Sequence, residues 1–394
     1  MKYISEELSG PTVFKAIEKL DFDYVPAELP HRDEQLRKLV RIFGQILKSN
    51  ISENAFIKGN VGTGKTVMTK KFCMDFKKYS EDSGTALETV HVNCRRRNSD
   101  SSVLLKIVTH FQPSFPDRGF SVDEMLDSIR KHLSSRKCHL IVVLDEVDVL
   151  IKKSGSNLIY LLTRFNEESV SGANAISLIL ISQLNVLDML EQAALSTFKR
   201  TNIIELNKYS MKELVDILTQ RIALAFKSNK VDTEAIDLIA DIAAREGDAR
   251  LAIELLWKAG QAADDNRNER VVPEHVRTAK SDITTIGIKI EDLNLHEQLI
   301  LMLIARKLKK GGAYTTTGEV EELYGVACEE YNQKPRGHTQ FWNYIKNLDA
   351  YGFIIAKKSG EGIIGNTTVI SISDIPAKEL EEMLVRKFEK KGMK

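Results

Sequence analysis

The residues with the clearest chemistry are Gly59-Asn60-Val61-Gly62-Thr63-Gly64-Lys65-Thr66, a full match to G-x-x-x-x-G-K-[ST]. Glycines let a backbone wrap a phosphate, and the N–H groups that follow, through Val67, point inward at a helix N-terminus. Lys65 supplies a cation for the β- and γ-phosphates, and the Thr66 hydroxyl suits Mg²⁺. Further on, the apolar run Leu140-Ile141-Val142-Val143-Leu144 ends in Asp145-Glu146. That pattern fits a strand buried on both faces with two carboxylates at its end. Asp145 would hold Mg²⁺ through water, and Glu146 would act as the base that polarises an attacking water. Two polar residues complete a set around a γ-phosphate. Gln183 follows the apolar run 176–182, and Arg250 opens a helical stretch after Gly247-Asp248-Ala249. Taken singly, each would be an ordinary cap or surface residue. The expected ligands are ATP or ADP with Mg²⁺.

Such groups need a scaffold that brings strand ends together. Residues 55–58, 89–93, 140–144 and 176–182 read as buried strands separated by helical patterns, which implies βαβ units and a parallel sheet. The glycine-rich loop then falls between a strand and a helix, the context it requires. Residues 210–280 hold only helical periodicity, as in Leu214, Ile217, Leu218 and Ile222. The expected organisation is an α/β nucleotide-binding domain over 1–205, a small helical domain over 206–281 and a third domain over 282–394. Flexible joints are expected at 264–273 and 281–290.

Composition sets the outer bounds. The 394 residues are 43% hydrophobic and 28% charged with 8 prolines, which excludes disordered and collagenous classes. The formal net charge of +1 means that any nucleic-acid surface must be local. Four scattered cysteines without C-x-x-C read as reduced thiols of a cytoplasmic protein, and the eight histidines lack zinc-ligand spacing. The N-terminus lacks a signal pattern, and no apolar run approaches the roughly 20 residues that span a bilayer. A membrane partner is not expected.

The third domain carries a second kind of chemistry. Over 337–351, Phe341, Ile345 and Leu348 form one apolar helical stripe, while Thr339, Gln340, Asn343, Lys346 and Asn347 share the opposite face. Amide side chains on a helix suit adenine edges in a major groove, and lysine suits phosphate. A preceding helix begins with the box Thr316-Thr317-Gly318-Glu319, and two strand-like runs flank a glycine-rich loop at 359–366. Helix, helix, hairpin is the order of a winged helix. The plainer reading is a solvated amphipathic helix in a protein-interaction domain. Basic and acidic residues are equally numerous over 282–394. DNA binding would therefore rely on clusters such as Arg306-Lys307-Lys309-Lys310, Lys334 with Arg336, and Lys357-Lys358.

Taken in this order, the motifs resemble AAA+ ATPases, and more narrowly the archaeal origin-recognition and cell-division-control replication initiators. Pro30-His31-Arg32-Asp33-Glu34-Gln35-Leu36 is similar to the family's adenine-lining motif, Val92-Asn93-Cys94-Arg95 to its second strand and Asp145-Glu146-Val147-Asp148 to its Walker B. Gly247-Asp248-Ala249-Arg250 is similar to its sensor-2 helix, the helical domain to its lid and the third domain to its winged helix. The resemblance places His31, Arg32, Tyr209, Arg221 and Arg250 at the nucleotide. It assigns Arg95-Arg96-Arg97 and the stretch to about residue 120 to a DNA-touching helical insertion. It implies a cytoplasmic, nucleoid-associated initiator that binds duplex origin DNA, pairs there with related initiator paralogues and helps recruit the replicative helicase. Slow ATP hydrolysis would serve as a switch. The runner-up is an ATP-binding regulator or scaffold whose winged helix contacts protein.

Two departures from the family pattern stand out. Gln183 occupies the sensor-1 position, where the family has Asn. Ala193, in Leu190-Glu191-Gln192-Ala193, stands where the arginine finger is expected, with Lys199 and Arg200 downstream as substitutes. This chain should then receive a finger from a neighbour but not donate one from position 193.

Overall fold

The computed structural model describes residues 12–165, 175–196, 198, 200–283, 290, 293–358, 368–372 and 375–390. The chain forms two compact units, one over 23–208 and the other combining the N-terminal segment with everything from residue 209 onward.

The first unit is built on a five-stranded sheet: β1 (Asn54–Gly59), β2 (Leu87–Asn93), β3 (His139–Asp145), β4 (Ile176–Ser182) and β5 (Ile203–Leu206), in the order β2-β3-β4-β1-β5. All its pairings are parallel, as the expected βαβ units require. β3 and β4 are buried at every residue, which is why both read as unbroken apolar runs. β5 is short, lies at the edge beside β1, and was not among the expected strands. The longer helices are α1 (Asp33–Ser49), α2 (Lys65–Asp82), α3 (Asp100–Phe111), α4 (Val122–Arg136), α5 (Val147–Ser154) and α6 (Asn157–Thr163). One face of the sheet packs Leu39, Phe43, Met68 and Phe72 from α1 and α2. The other packs Leu104, Ile107, Val108, Ile129 and Leu133 from α3 and α4. The stretch expected as an insertion therefore contributes a core helix, because α3 turns Val103, Leu104, Ile107, Val108 and Phe111 inward. Beyond α3, Phe115 and Phe120 lie against each other, their ring centroids 4.5 Å apart.

The second unit begins with the four helices α7 (Met211–Ala225), α8 (Thr233–Ala244), α9 (Ala249–Asp265) and α10 (Pro273–Ile283). The segment 12–22, expected in the ATPase domain, packs on these helices instead. Lys15 N and Ala16 N donate to Ala225 O, and Thr12 Oγ1 and Val13 N donate to Asp264. Phe14 lies tilted against Phe226, with ring centroids 4.7 Å apart, and fills the space left by Gly260, where an added Cβ would stand 2.3 Å from the Phe14 ring. Residues 264–273, expected as a flexible joint, form a bonded turn. Asn268 N donates to Ala263 O, Val271 N to Lys230 O, and the Asn268 amide meets His275 Nε2 at 2.8 Å. The joint expected at 281–290 lies largely outside the described residues.

The winged helix follows in the same unit: α11 (Leu295–Leu308), β6 (Thr315–Thr316), α12 (Thr317–Glu330), α13 (His338–Ala350), β7 (Ile354–Lys358), β8 (Thr368–Ile372) and α14 (Ala377–Lys390). Its antiparallel sheet runs β6-β8-β7. α11 is buried almost all round and forms the axis of this core. The expected capping box is present, with Thr316 Oγ1 accepting from Glu319 N and the Glu319 carboxylate accepting from Thr316 N. Gly352 takes φ 84° just beyond α13, the left-handed turn that a glycine allows. Arg277 of α10 is fully buried against the winged helix. It donates to Ile372 O, Gly312 O and Ala313 O, and pairs with Glu274 at 3.0 Å.

Candidate nucleotide site and nucleic-acid face

The loop 59–66 leaves the C-terminal end of β1 and enters α2. Gly59 has no room for a side chain, since an added Cβ would lie 2.6 Å from Leu206 O and 2.9 Å from Thr63 Oγ1. Gly62 (φ 69°) and Gly64 (φ 86°) adopt left-handed backbone that lets the loop curl. The Thr63 hydroxyl ties the loop internally by donating to Asn60 O at 2.9 Å. The first N–H groups of α2 have no intrahelical acceptor and face the concavity. Lys65 folds back over the loop, donating to Gly59 O at 2.7 Å and Asn60 O at 2.6 Å.

β4 lies between β1 and β3, so Gln183, exposed one residue past β4, stands between the loop and the acidic strand end. Thr66 Oγ1 donates to Asp145 Oδ2 at 2.6 Å, and His91 Nε2 lies 3.2 Å from the same oxygen. Burial alone would raise the Asp145 carboxyl, but the hydrogen bonds from His91, Thr66 and Glu146 N–H outweigh it and hold the group below its ordinary pKa. Asp145 is thus an anion beside the threonine hydroxyl, the donor pair that Mg²⁺ prefers. Glu146 takes φ 55°, a strained conformation that turns its carboxylate out from the strand end. That carboxylate accepts from Arg95 Nε at 3.0 Å and from Asn93 Nδ2 at 3.4 Å. His91 went unremarked in the sequence, although its position two residues before Asn93 puts it on the same side of β2.

Arg32, expected at the nucleotide, is buried and spends its guanidinium on the carbonyls of Thr63, His31 and Asn207. It pins the loop from behind. His31 is exposed with φ 61°. Val61 is exposed at the loop's crest, and Val67 follows Thr66 in the first turn of α2. The remaining expected nucleotide residues belong to the second unit. Tyr209 is buried with its N–H on Gly247 O, and Arg221 donates to Lys19 O at 2.7 Å. Arg250 is exposed, with its guanidinium carbon 5.4 Å from the Phe22 ring centroid. The side chains of Ala193 and Arg200, and all of Lys199, lie outside the described residues.

The winged helix divides the expected DNA contacts. Phe341, Ile345 and Leu348 are buried, and Thr339, Gln340, Asn343, Lys346 and Asn347 are exposed on the other side of α13. Lys346 lies over the Trp342 ring at 5.7 Å, and Asn347 Nδ2 donates to Glu297 at 2.9 Å. Arg336 is exposed ahead of α13, steered by His296 Nε2 at 3.4 Å. Lys358 is exposed, but Lys357 is not a free cation: its Nζ is 2.5 Å from buried Asp241. Within the expected basic clusters, Arg306 pairs with Glu330 and Glu381, Lys307 with Glu319 and Lys309 with Glu381, so that patch is largely neutralised. In the first unit, Arg95 is held by Glu146, while Arg96 is exposed and Arg97 half-buried in the turn after β2. The glycine-rich loop 359–366 lies outside the described residues.

A phosphate cradle on a parallel sheet, a lid of helices and a winged helix define a AAA+ ATPase with an appended nucleic-acid-binding fold. The family models agree in chain order: an AAA domain over 52–190, a Cdc6 AAA+ ATPase-type lid domain over 215–281 and a CDC6 C-terminal winged-helix domain over 288–382. The chain belongs to the ORC1-type/Cdc6 family of DNA replication proteins. It is 34% identical to ORC1-type DNA replication protein 2 of Sulfurisphaera tokodaii, over 97% of this chain and 94% of that one. Among solved structures, Cdc6p of Pyrobaculum aerophilum is 30% identical with a TM-score of 0.83, covering 97% of this chain and 100% of that one. The ORC1 protein of Aeropyrum pernix, solved in complex with DNA, is 31% identical with a TM-score of 0.64, covering 95% of this chain and 97% of that one. Among the described residues, no helix is long and apolar enough to cross a membrane.

Proposed function

We propose that this chain is an ATP-regulated initiator that binds duplex DNA at replication origins and helps to recruit the replicative helicase. The observation that carries the reading is the exposed polar face of α13, bearing Thr339, Gln340, Asn343 and Lys346 on a helix whose other face is sealed into the winged-helix core. Arg336 and Lys358 extend that face with cations for phosphate, and Arg96 and Arg97 offer more in the first unit.

Residues 59–67 would cradle the phosphates with Lys65 as their counter-cation, and Thr66 with Asp145 would hold Mg²⁺, which would supply further positive charge for phosphoryl transfer. Glu146 accepts the proton of the attacking water, and Gln183 steadies the γ-phosphate. In this structure Glu146 is paired with Arg95, which fits slow hydrolysis used as a switch. With Ala193 at the finger position, the chain receives a neighbour's arginine and lends none from position 193, and a related initiator on the same DNA is the natural donor.

The test is binding of the full chain to duplexes containing candidate origin sequence and to scrambled duplexes at one salt concentration. Preference for origin sequence supports the reading. Equal affinity for both, or none, returns the winged helix to the role of a protein-contact module.

A further inference from the structure

Three helices of the winged helix converge behind the loop that leads into α13. α11 contributes His296, α12 Tyr324 and α13 Tyr344. The His296 ring lies nearly parallel to Tyr344, with centroids 5.7 Å and planes 10° apart, and edge-on to Tyr324. Its Nδ1 is 2.7 Å from the Tyr324 hydroxyl, and its Nε2 is 3.4 Å from Arg336 Nε. Arg336 N also donates to the Tyr324 hydroxyl, at 3.4 Å. The buried pair His296 and Tyr324 therefore grips Arg336 twice, by its main chain and by its side chain, although residues 334–337 are exposed.

The proton positions follow from the donors. A guanidinium only donates, so Nε2 is the accepting nitrogen and the imidazole proton sits on Nδ1, aimed at the Tyr324 oxygen. Burial, and then the Arg336 charge beside it, holds His296 below its ordinary pKa, so the ring is neutral at pH 7. A neutral holder leaves the arginine's charge unspent. Arg306, Lys307, Lys309 and Lys357 are held by carboxylates that cancel theirs. Among the described residues no carboxylate pairs with Arg336. The imidazole fixes Nε and leaves both Nη groups to form a fork on an outside anion.

We propose that His296 and Tyr324 are positioning residues that hold Arg336 in the pose in which it meets a phosphate of duplex DNA. The proposal rests on the reading above, in which α13 and Arg336 face the duplex. A free arginine side chain loses its rotamer freedom when it docks, whereas one already held loses little. Removing the hold should therefore weaken binding by about 2- to 12-fold, the cost of immobilising one long side chain.

The experiment titrates the full chain with one fluorescent duplex at fixed salt, across single and double variants whose folding is checked by melting curves. His296→Phe keeps the ring stack and removes both nitrogens, and Tyr324→Phe removes only the hydroxyl oxygen. Each should weaken binding by that factor, and neither should weaken it further in a chain already carrying Arg336→Ala. His296→Gln, whose amide oxygen reaches the place of Nε2, should restore the wild-type affinity. Wild-type affinity in both His296→Phe and Tyr324→Phe, an equal loss with and without Arg336, or a His296→Gln chain as weak as His296→Phe overturns the proposal and leaves the functional reading standing. A wild type that does not bind duplex overturns the functional reading, and the proposal with it.

Discussion

Arg95 Nε donates to Glu146 Oε2 across 3.0 Å, so the carboxylate best placed to activate water is tied to an arginine that is itself 68% exposed. A base engaged in an ion pair is less available to a water proton. Arg95→Ala should therefore raise basal ATP turnover. Because exposed pairs are worth about 0.2–1 kcal/mol, the rise should reach about fivefold at most. Steady-state phosphate release without DNA measures it, and an unchanged or lower rate would remove Arg95 from control of the base.

Lys65→Ala should abolish nucleotide binding while the chain stays folded, because Gly59, the Thr63 hydroxyl and Arg32 still hold the loop once the Lys65 bonds to Gly59 O and Asn60 O are lost. Glu146→Gln should behave differently, retaining nucleotide and losing turnover by about 10²–10⁴-fold. Equilibrium titration with a fluorescent ATP analogue, followed by single-turnover hydrolysis, separates the two. Normal hydrolysis by the glutamine variant would place the base elsewhere.

On the winged helix, Arg336→Ala and Lys346→Ala should weaken binding to any duplex and flatten its salt dependence, as loss of a phosphate contact does. Asn343→Ala should instead narrow the gap between origin and scrambled sequence, costing about 1–3 kcal/mol at the base it reads. Gel-shift titrations at two salt concentrations discriminate these effects. Undiminished binding by a chain ending at residue 281 would locate the DNA surface outside this domain.

Gly260→Ala should destabilise the second unit. The added methyl would stand 2.3 Å from one Phe14 ring carbon and 3.0 Å from Phe226, and overpacking of that kind costs about 1–3 kcal/mol. Urea unfolding reads the loss. A paired Phe14→Leu change, which vacates the space, should recover part of it.

The cap of α12 gives a pH signature. The Thr316 N–H, the Thr315 hydroxyl and, to a lesser degree, the Thr316 hydroxyl and Lys307 hold the Glu319 carboxyl near pH 2, against an ordinary value of 4.5. A carboxylate whose pKa is depressed on folding adds stability above its unfolded pKa and loses it as pH falls through the folded one. The stability difference between wild type and Glu319→Gln should be full near pH 6 and shrink steadily from about pH 4.5 toward pH 2. Melting curves across that window test it, and a difference that does not change with pH would discount the cap.

What the sequence made legible was what chemistry forces onto neighbouring positions. A phosphate cradle needs glycines within one loop, so residues 59–66 could be read directly, and β3 announced itself because burial on both faces leaves no polar position until Asp145. The amphipathic face of α13 was readable for the same local reason. Long-range partners were not. Lys357 looks like a wing cation until Asp241 is found beside it, 116 residues away in the chain. Arg95 and Arg32 look like ligand-binding arginines until Glu146 and the Thr63 carbonyl claim them. β5 escaped notice because a four-residue edge strand has too few positions to show a period.

The packing of Phe14 against Gly260 and Phe226 also bears on how the protein is made. Residues 12–22 leave the ribosome before the sheet-bearing unit, yet their partners at Ala225, Gly260 and Asp264 are synthesised only after that whole unit. The nascent chain must carry that opening segment unpaired while residues 23–208 fold, then close a loop around them when the helices appear, a connection of high sequence separation that folds slowly. A gene fragment starting at residue 209 would therefore yield helices with an uncovered groove, and supplying residues 12–22 in trans as a peptide should fill it.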